Sequence, residues 1–382
     1  MYYWVGIWIW IGIFLCQLGA TEKKKVCLNM IIKDESKVIQ RSLASVKPVI
    51  DYWVIVDTGS TDRTQEIVKE FMKDIPGELH ERPWVNFEHN RNEALKLANG
   101  KGDYLLFIDA DEEFLYSKDF KKSDFNLDSY LVTISLGENR YYRKQIVNNH
   151  LNWKWVGVLH EYLTCPQAKS EGIWEGVVNY CRPAQGCRSR DNAKYEKDAL
   201  VLEKALEKEP YNSRYVFYLA QSYRDAEKPE LAIKNYLRRI SMGGWDQEVF
   251  WSKYQIALLQ EGLGKDAETV INAYMDAYNY RPTRVEPLCR LATYFRTKEN
   301  YLLGYLVASQ ALSLPKTEDI LMVETWAYDY WLQIEKLMCA QKIGKYEEVY
   351  HLAVQLLSSP NCPERCHSYV FEALNWIMGA AQ

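Results

Sequence analysis

Apolar residues in the first third of the chain come in short blocks separated by polar turns. Residues 26–32, 53–56 and 104–108 are mostly apolar and β-branched, and each block is bounded by turn-forming residues. Runs of this kind read as parallel strands buried on both faces. Between the first two blocks the period lengthens to that of a helix: Val38, Ile39, Leu43 and Val46 share one face. Asp34 and Ser36 precede it as N-caps. Thr58-Gly59-Ser60-Thr61 predicts a tight turn, with Thr61 capping a helix over 62–72. A short strand follows at 78–81, then a helix over 88–98 stopped by Asn99-Gly100. This alternation predicts βαβ units and a mostly parallel sheet. Beyond Asp111, residues 130–136, 140–147 and 157–163 read as further strands, antiparallel and covering the sheet's crevice.

From about residue 191 strand patterns stop and helical ones take over. Ala220, Ala257 and Ala292 recur near the ~34-residue period of tetratricopeptide helix pairs, with Pro210, Pro282 and Pro315 at repeat ends. About four such pairs are expected, the last near 328–357. The chain thus divides into a hydrophobic segment over 1–21, an α/β domain over 25–190 and an all-α repeat domain over 191–382. A length of 382 residues also favours two domains over one core.

Hydrophobic content of 48% and charged content of 26% are those of a soluble globular protein. The net charge of -4 argues against nucleic acid as a partner. Nine Cys occur without a Cys-x-x-Cys pair, and Cys362-x3-Cys366 has no second pair to complete a zinc site. Ordinary thiols in a reducing compartment are the expectation. Residues 2–20 are almost wholly apolar, with no charge before Glu22. At ~1.5 Å per residue such a stretch can just span a bilayer. It lacks the basic start of a signal peptide, and Leu18-Gly19-Ala20 is only a fair cleavage site. Lys23-Lys24-Lys25 directs that flank to the cytoplasm. The expectation is a membrane anchor with a cytoplasmic catalytic domain; a cytoplasmic protein, secretion after signal cleavage, and a misplaced start codon are the alternatives.

Two of the predicted strands end in acids: Val54-Ile55-Val56-Asp57, and Leu105-Leu106-Phe107-Ile108-Asp109-Ala110-Asp111. In open α/β sheets the ligand lies beyond the carboxyl ends of the strands, so Asp57, Asp109 and Asp111 should meet in one crevice. Converging carboxylates repel unless a cation or ligand donors offset them. A hard divalent cation takes oxygen ligands and leaves positions for phosphate. A nucleoside diphosphate bridged by metal is the simplest occupant. There is no Gly-x-Gly-x-x-Gly and no Gly-Lys-Ser/Thr, so metal and side chains must hold the phosphates.

Four segments carry a resemblance: Met30-Ile31-Ile32-Lys33-Asp34-Glu35, Val56-Asp57-Thr58-Gly59-Ser60-Thr61-Asp62-Arg63-Thr64, His89-Asn90-Arg91-Asn92 and Asp109-Ala110-Asp111. In order and spacing they resemble family-2 glycosyltransferases of the GT-A fold. The resemblance implies a UDP-sugar donor and a bound Mn²⁺ or Mg²⁺. It implies that Asp57 accepts the N3 proton of uracil and that Asp109 lies near the ribose and metal. It further implies that Asp111 binds the metal, that Arg91 faces the diphosphate, and that Glu35 lines the nucleotide pocket. Thr58 stands where the family often has a second Asp, so no second carboxylate is expected there. The Gln-x-x-Arg-Trp motif of processive synthases is absent, which implies single-sugar transfer.

Trp153-Lys154-Trp155-Val156-Gly157-Val158-Leu159-His160-Glu161 is a further constellation, and a Trp…Gly…His-Glu segment recurs after the Asp-x-Asp motif in proteins of this resemblance. His160 is a candidate metal ligand. Glu161 is a candidate general base for an inverting transfer, which needs a carboxylate opposite the leaving diphosphate. In the second domain, the segments 217–225, Gly243-Gly244-Trp245 and Arg281-Pro282-x-Arg284-x-Glu286-Pro287-Leu288 resemble glycosyltransferases with a fused C-terminal repeat domain. One group of that layout glycosylates peptides, including Cys thiols, so the acceptor classes are peptide, protein or glycan. Stacked helix pairs make a concave surface, with Tyr223, Trp245, Arg281 and Arg284 as candidates to line it.

Plainer readings exist for the same residues. Asp57 and Asp62 can be caps, and Asp109 and Asp111 can join Glu112 and Glu113 in a surface loop. Arg91 can be solvated, His160 and Glu161 structural, and the repeat-domain residues braces. Two functional rivals remain: an inactive transferase-like scaffold, against which the intact Asp57, Asp109 and Asp111 stand, and a nucleotidyltransferase. The latter wants a Gly-rich basic loop, and Ile32-Lys33-Asp34-Glu35 is not one.

Overall fold

The computed structural model describes residues 23–121, 124–137 and 139–380. The predicted hydrophobic segment over 1–21, and with it the membrane-anchor expectation, lies outside them. Among the described residues no helix is long and apolar enough to cross a membrane. The chain divides into two compact units. One takes the chain up to Trp84 with Asn90–Lys154 and Leu163–Gly186; the other takes Val85–His89, Trp155–Tyr162 and everything from Cys187.

The first unit is built on an eight-stranded sheet. Its strands are β1 (Val26–Ile32), β2 (Tyr52–Asp57), β3 (Gly77–Glu81), β4 (Tyr104–Phe107), β5 (Glu112–Tyr116), β6 (Ser129–Leu136), β7 (Asn139–Asn148) and β10 (Glu171–Cys181). Their order is β3-β2-β1-β4-β7-β6-β10-β5. The β3-β2-β1-β4 half is parallel, and β4–β7 and β6–β7 pair antiparallel. Ile32 pairs with Asp57, so the first two strands end level. Helices α1 (Ile39–Val46), α2 (Thr64–Phe71) and α3 (Phe87–Leu97) supply the crossovers. Burial of Leu28, Met30, Ile55, Leu106, Ile39, Leu43 and Val68 fuses strands and helices into one core.

Three expectations fail here. Asp34 and Ser36 do not cap α1, whose start has no side-chain cap. Asp34 instead sits at φ 53° and accepts a hydrogen bond from the Thr61 amide at 2.7 Å. The loops ending β1 and β2 are tied to each other, and that cross-loop pairing outcompetes local capping. Thr61 likewise caps nothing, since α2 begins at Thr64. The strand expected over 157–163 is broken: β8 (Lys154–Val156) and β9 (Tyr162–Thr164) flank a turn in which Gly157 has φ 112° and His160 φ 52°. The sequence reading also missed β5 and β10. β5 opens on two glutamates and β10 carries two glycines, both weak strand signals.

The second unit is helical. α4 (Lys194–Lys208) is followed by the pairs α5–α6 (Ser213–Asp225, Pro229–Ser241), α7–α8 (Asp246–Gly262, Ala267–Tyr280), α9–α10 (Glu286–Thr297, Tyr301–Leu312) and α11–α12 (Leu332–Lys342, Tyr346–Ser358); α13 (His367–Ala380) closes it. Ala220, Ala232, Ala257, Ala277, Ala292 and Ala308 are fully buried, so small side chains sit where helices approach. Asn212, Asp266 and Asn300 cap the helices after them. The candidates for a concave binding surface are mostly braces. Arg284 is entirely buried against Glu286 and Asp319. Arg281 pairs with Asp246 and Asp319, and the Tyr223 hydroxyl meets Glu203. Trp245 alone of the four keeps substantial exposure, 43%. The eight described cysteines are free thiols.

Candidate functional site

The site residues on the sheet unit stand at the carboxyl ends of β1, β2 and β4. Asp57 closes β2 and is fully buried. Its Oδ1 accepts from the amides of Gly59 at 2.9 Å and Ser60 at 2.7 Å. Gly59 holds φ 104°, which lets both amides turn back onto the carboxylate. The Oδ2 atom is enclosed and has no hydrogen-bond partner. Asp57 is therefore both a turn cap and a half-satisfied acceptor. Glu35 is buried just past β1, its amide donating to Thr64 Oγ1 at 2.8 Å.

Asp109 and Asp111 follow β4. The Asp109 Oδ1 lies 2.7 Å from Arg91 Nη2, and its Oδ2 lies 3.9 Å from Arg143 Nη1. Burial works to raise its pKa, but the guanidinia of Arg91 and then Arg143 outweigh it and the net shift is down. Arg91 is thus a mostly buried partner of Asp109 rather than a solvated helix residue. Asp111 goes the other way. Burial first, then the charges of Asp109, Glu112 and Glu35, push its pKa up to about 7. Its backbone carbonyl accepts from Arg41 and from the Arg182 amide. Gly186 is packed on the carboxylate: a Cβ there would stand 2.6 Å from Asp111 Oδ2. These acids do not form a plain surface loop.

His160 and Glu161 belong to the helical unit. The His160 ring stacks on Tyr218, centroids 4.0 Å apart, and its carbonyl accepts from Arg214 Nη2 at 2.8 Å. The protein around the ring, then Arg214, Arg188 and Lys194, lower its pKa to about 4. The residue keeps exposed surface, and the ring is neutral at neutral pH. A neutral imidazole is the form that ligates metal, while the neighbouring cations oppose a further positive charge. Glu161 is half-buried.

Sequence reasoning missed Arg143 beside Asp109 and Glu112 as its buried anchor. Glu112 is buried and takes both its oxygens to Arg143 Nη2, at 2.6 and 2.5 Å. The only signal was a run of four acids around one alanine, and its counter-charge lies far off on β7.

Among the described residues no group of three His, Cys, Asp or Glu side chains is placed to hold a metal ion. A Mg²⁺-type ion that binds mainly substrate phosphates and water needs only one or two carboxylates. Asp111, crowded by other acids, fits that need, with Asp109 beside it.

Residues 27–167 match the family model for glycosyl transferase family 2. This part of the chain is a family-2 glycosyltransferase domain. Its sheet is GT-A-like, and the helical unit after it is tetratricopeptide-like. The prophage-derived glycosyltransferase SunS of Bacillus subtilis is 26% identical over 236 residues, 57% of this chain and 54% of SunS. A TPR repeat-containing protein of Synechococcus elongatus is 40% identical over 99 residues, 26% of this chain and 23% of that one. The chain thus spans about half the length, or less, of these curated relatives. Among solved structures, S. aureus TarS 1-349 in complex with UDP-GlcNAc aligns with a TM-score of 0.37 at 14% identity, covering 68% of this chain and 92% of that one.

Proposed function

We propose that the chain is an inverting, metal-dependent glycosyltransferase that moves one sugar from a UDP-sugar donor to a peptide, protein or glycan acceptor. The observation that carries this reading is the Asp111 carboxylate. It stands among Asp109, Glu112 and Glu35 at the strand ends of a family-2 domain, with its pKa raised to about 7. Arginines face Asp109 and Glu112, so Asp111 is the carboxylate of this group suited to a divalent cation together with a diphosphate. Asp111, with Asp109 beside it, would hold Mn²⁺ or Mg²⁺, which would offset the charge of the departing diphosphate. Arg91 fixes Asp109 and faces the diphosphate side. Asp57 offers its unpaired Oδ2 to the N3–H of uracil, and Glu35 lines the nucleotide pocket. Glu161 would take the proton of the acceptor nucleophile as it attacks the anomeric carbon, and His160 would be a further ligand of the metal. The repeat unit recognises the acceptor, stacked helix pairs being suited to extended ligands.

Calorimetric titration of UDP with and without Mn²⁺ tests the reading. Wild type should bind UDP more tightly with Mn²⁺, and Asp111→Asn should lose that metal-dependent gain while keeping its fold. Equal UDP affinity with and without Mn²⁺ in the wild type would remove the metal from the proposal. No UDP binding at all would favour the inactive scaffold.

A further inference from the structure

The turn between β4 and β5 is closed by its own acids. The Glu112 amide donates to the Asp109 carbonyl at 3.1 Å, and the Asp109 amide donates to Glu112 Oε2 at 3.2 Å. This reciprocal pairing turns the Glu112 carboxylate into the sheet. There it also receives Asn179 Nδ2 at 2.7 Å and Cys181 Sγ at 3.1 Å, besides Arg143. With so many donors, Glu112 has no capacity left for a ligand. It is a buried anion that anchors Arg143.

Arg143 links this anchor to the open side of the site. One nitrogen, Nη2, is committed to Glu112, and the other, Nη1, points at Asp109 Oδ2 from 3.9 Å. That distance serves charge attraction rather than a hydrogen bond. Arg91 holds the other oxygen of Asp109 at 2.7 Å. Asp109 therefore has a guanidinium on each oxygen. Arg143 and Asp109 both keep about a third of their side-chain surface open, 35% and 39%. Arg143 itself is carried by β7, whose Ile146 and Val147 pair with β4 just ahead of the acidic turn.

We infer that Arg143, anchored by Glu112, is a positioning residue that fixes the Asp109 carboxylate for nucleotide binding. Arg91 and Arg143 together set the direction in which Asp109 presents its oxygens. The carboxylate at 112, next in the acidic run, is withdrawn from the site as the counter-charge of Arg143. This rests on the proposed function, because it concerns the site that would bind the donor.

The experiment compares wild type, Arg143→Lys and the double variant Glu112→Gln/Arg143→Gln. The double variant removes both charges together, so no buried anion is left without its partner, and an amide pair can keep the packing. Thermal melting reports the fold, and calorimetry with UDP and Mn²⁺ reports the site. The double variant should melt near wild type and bind UDP about tenfold more weakly in Mn²⁺. Arg143→Lys, which keeps the charge, should recover part of that loss. Wild-type UDP affinity in a double variant of wild-type stability overturns the inference. If the double variant melts far below wild type, Arg143→Lys decides. Weakened UDP binding at an unchanged melting temperature supports positioning, and unchanged binding overturns it. If the wild type binds no UDP with Mn²⁺, the proposed function fails and this inference falls with it.

Discussion

Arg284 in the helical unit and Asp57 in the sheet unit are both fully enclosed, yet their polar atoms are treated differently. Arg284 meets Glu286, Asp319 and the carbonyls of Leu321 and Met322. Arg239 closes in the same way on Glu248 and the Gly243 carbonyl. In the sheet unit Asp57 keeps an unpaired Oδ2, and Asp111 is crowded by acids that raise its pKa. Buried charge that is completely matched braces a scaffold. Charge left short of partners marks the place where a ligand completes the set. The helical unit also holds an exception. Arg214, which meets the His160 carbonyl beside Glu161, has a buried Nε without a partner.

The largest test of this contrast is Arg284→Ala. It leaves Glu286 buried without its guanidinium, while Asp319 keeps Arg281, and breaking a buried pair in this way costs about 3–5 kcal/mol. Urea denaturation should show that loss, with UDP affinity of the folded protein unchanged. A loss below ~1 kcal/mol would mean that the network is not a brace.

Glu161→Gln asks whether the exception in the helical unit is functional. A general base acts on the acceptor and not on donor binding. The variant should keep UDP affinity and lower sugar transfer by ~10²–10⁴-fold, the range for general-base loss. His160→Ala should weaken metal-dependent UDP binding as well, if His160 assists at the metal. Transfer at the wild-type rate by the Glu161 variant would return Glu161 to a structural role.

Asp111→Asn removes the charge of the sheet unit that burial and neighbouring acids disfavour. A carboxyl whose folded pKa of about 7 lies above its unfolded value of ~3.9 binds its proton more tightly in the native state. Between those values the native state holds more protons than the unfolded one, so stability falls as pH rises from ~4 to about 7. In chelator-treated protein Asp111→Asn should flatten that slope. At neutral pH it should be more stable than wild type by ~2 kcal/mol, about half the full linkage value because the group is partly solvated. Chemical denaturation across this pH range decides it. An unchanged slope would show that Asp111 is not the strained group.

The parallel strands and the acids at their ends were legible because strand period and position are local properties. The helix pairs were legible for the same reason, since small residues recur with the repeat. What escaped depends on partners far away in sequence. Glu112 reads as one more acid until Arg143 and Asn179 are brought to it. Arg284 reads as a surface cation until Asp319 closes over it. Asp34 reads as a helix cap, because nothing in its own segment shows that the Thr61 amide competes for it. The His160–Glu161 turn was misread as a strand, since backbone at φ 52° on a non-glycine residue carries no sequence signature.

The smallest effect concerns the base. Asp57 Oδ2 is an acceptor lacking a donor, and uracil N3 carries a proton while cytosine N3 does not. A buried acceptor matched by one base and opposed by the lone pair of the other discriminates by ~1–3 kcal/mol. The low end, about 1 kcal/mol, is expected, because the amides of Gly59 and Ser60 already hold the carboxylate. UDP should thus bind several-fold more tightly than CDP in Mn²⁺. Asp57→Asn should shrink that ratio, because an amide can turn its N–H to cytosine N3. The same variant presents the turn amides with a weaker acceptor, so a small loss of stability accompanies it. Equal affinity of wild type for UDP and CDP would reduce Asp57 to a turn cap. The contrast between the units would then rest, on the sheet side, on Asp111 alone.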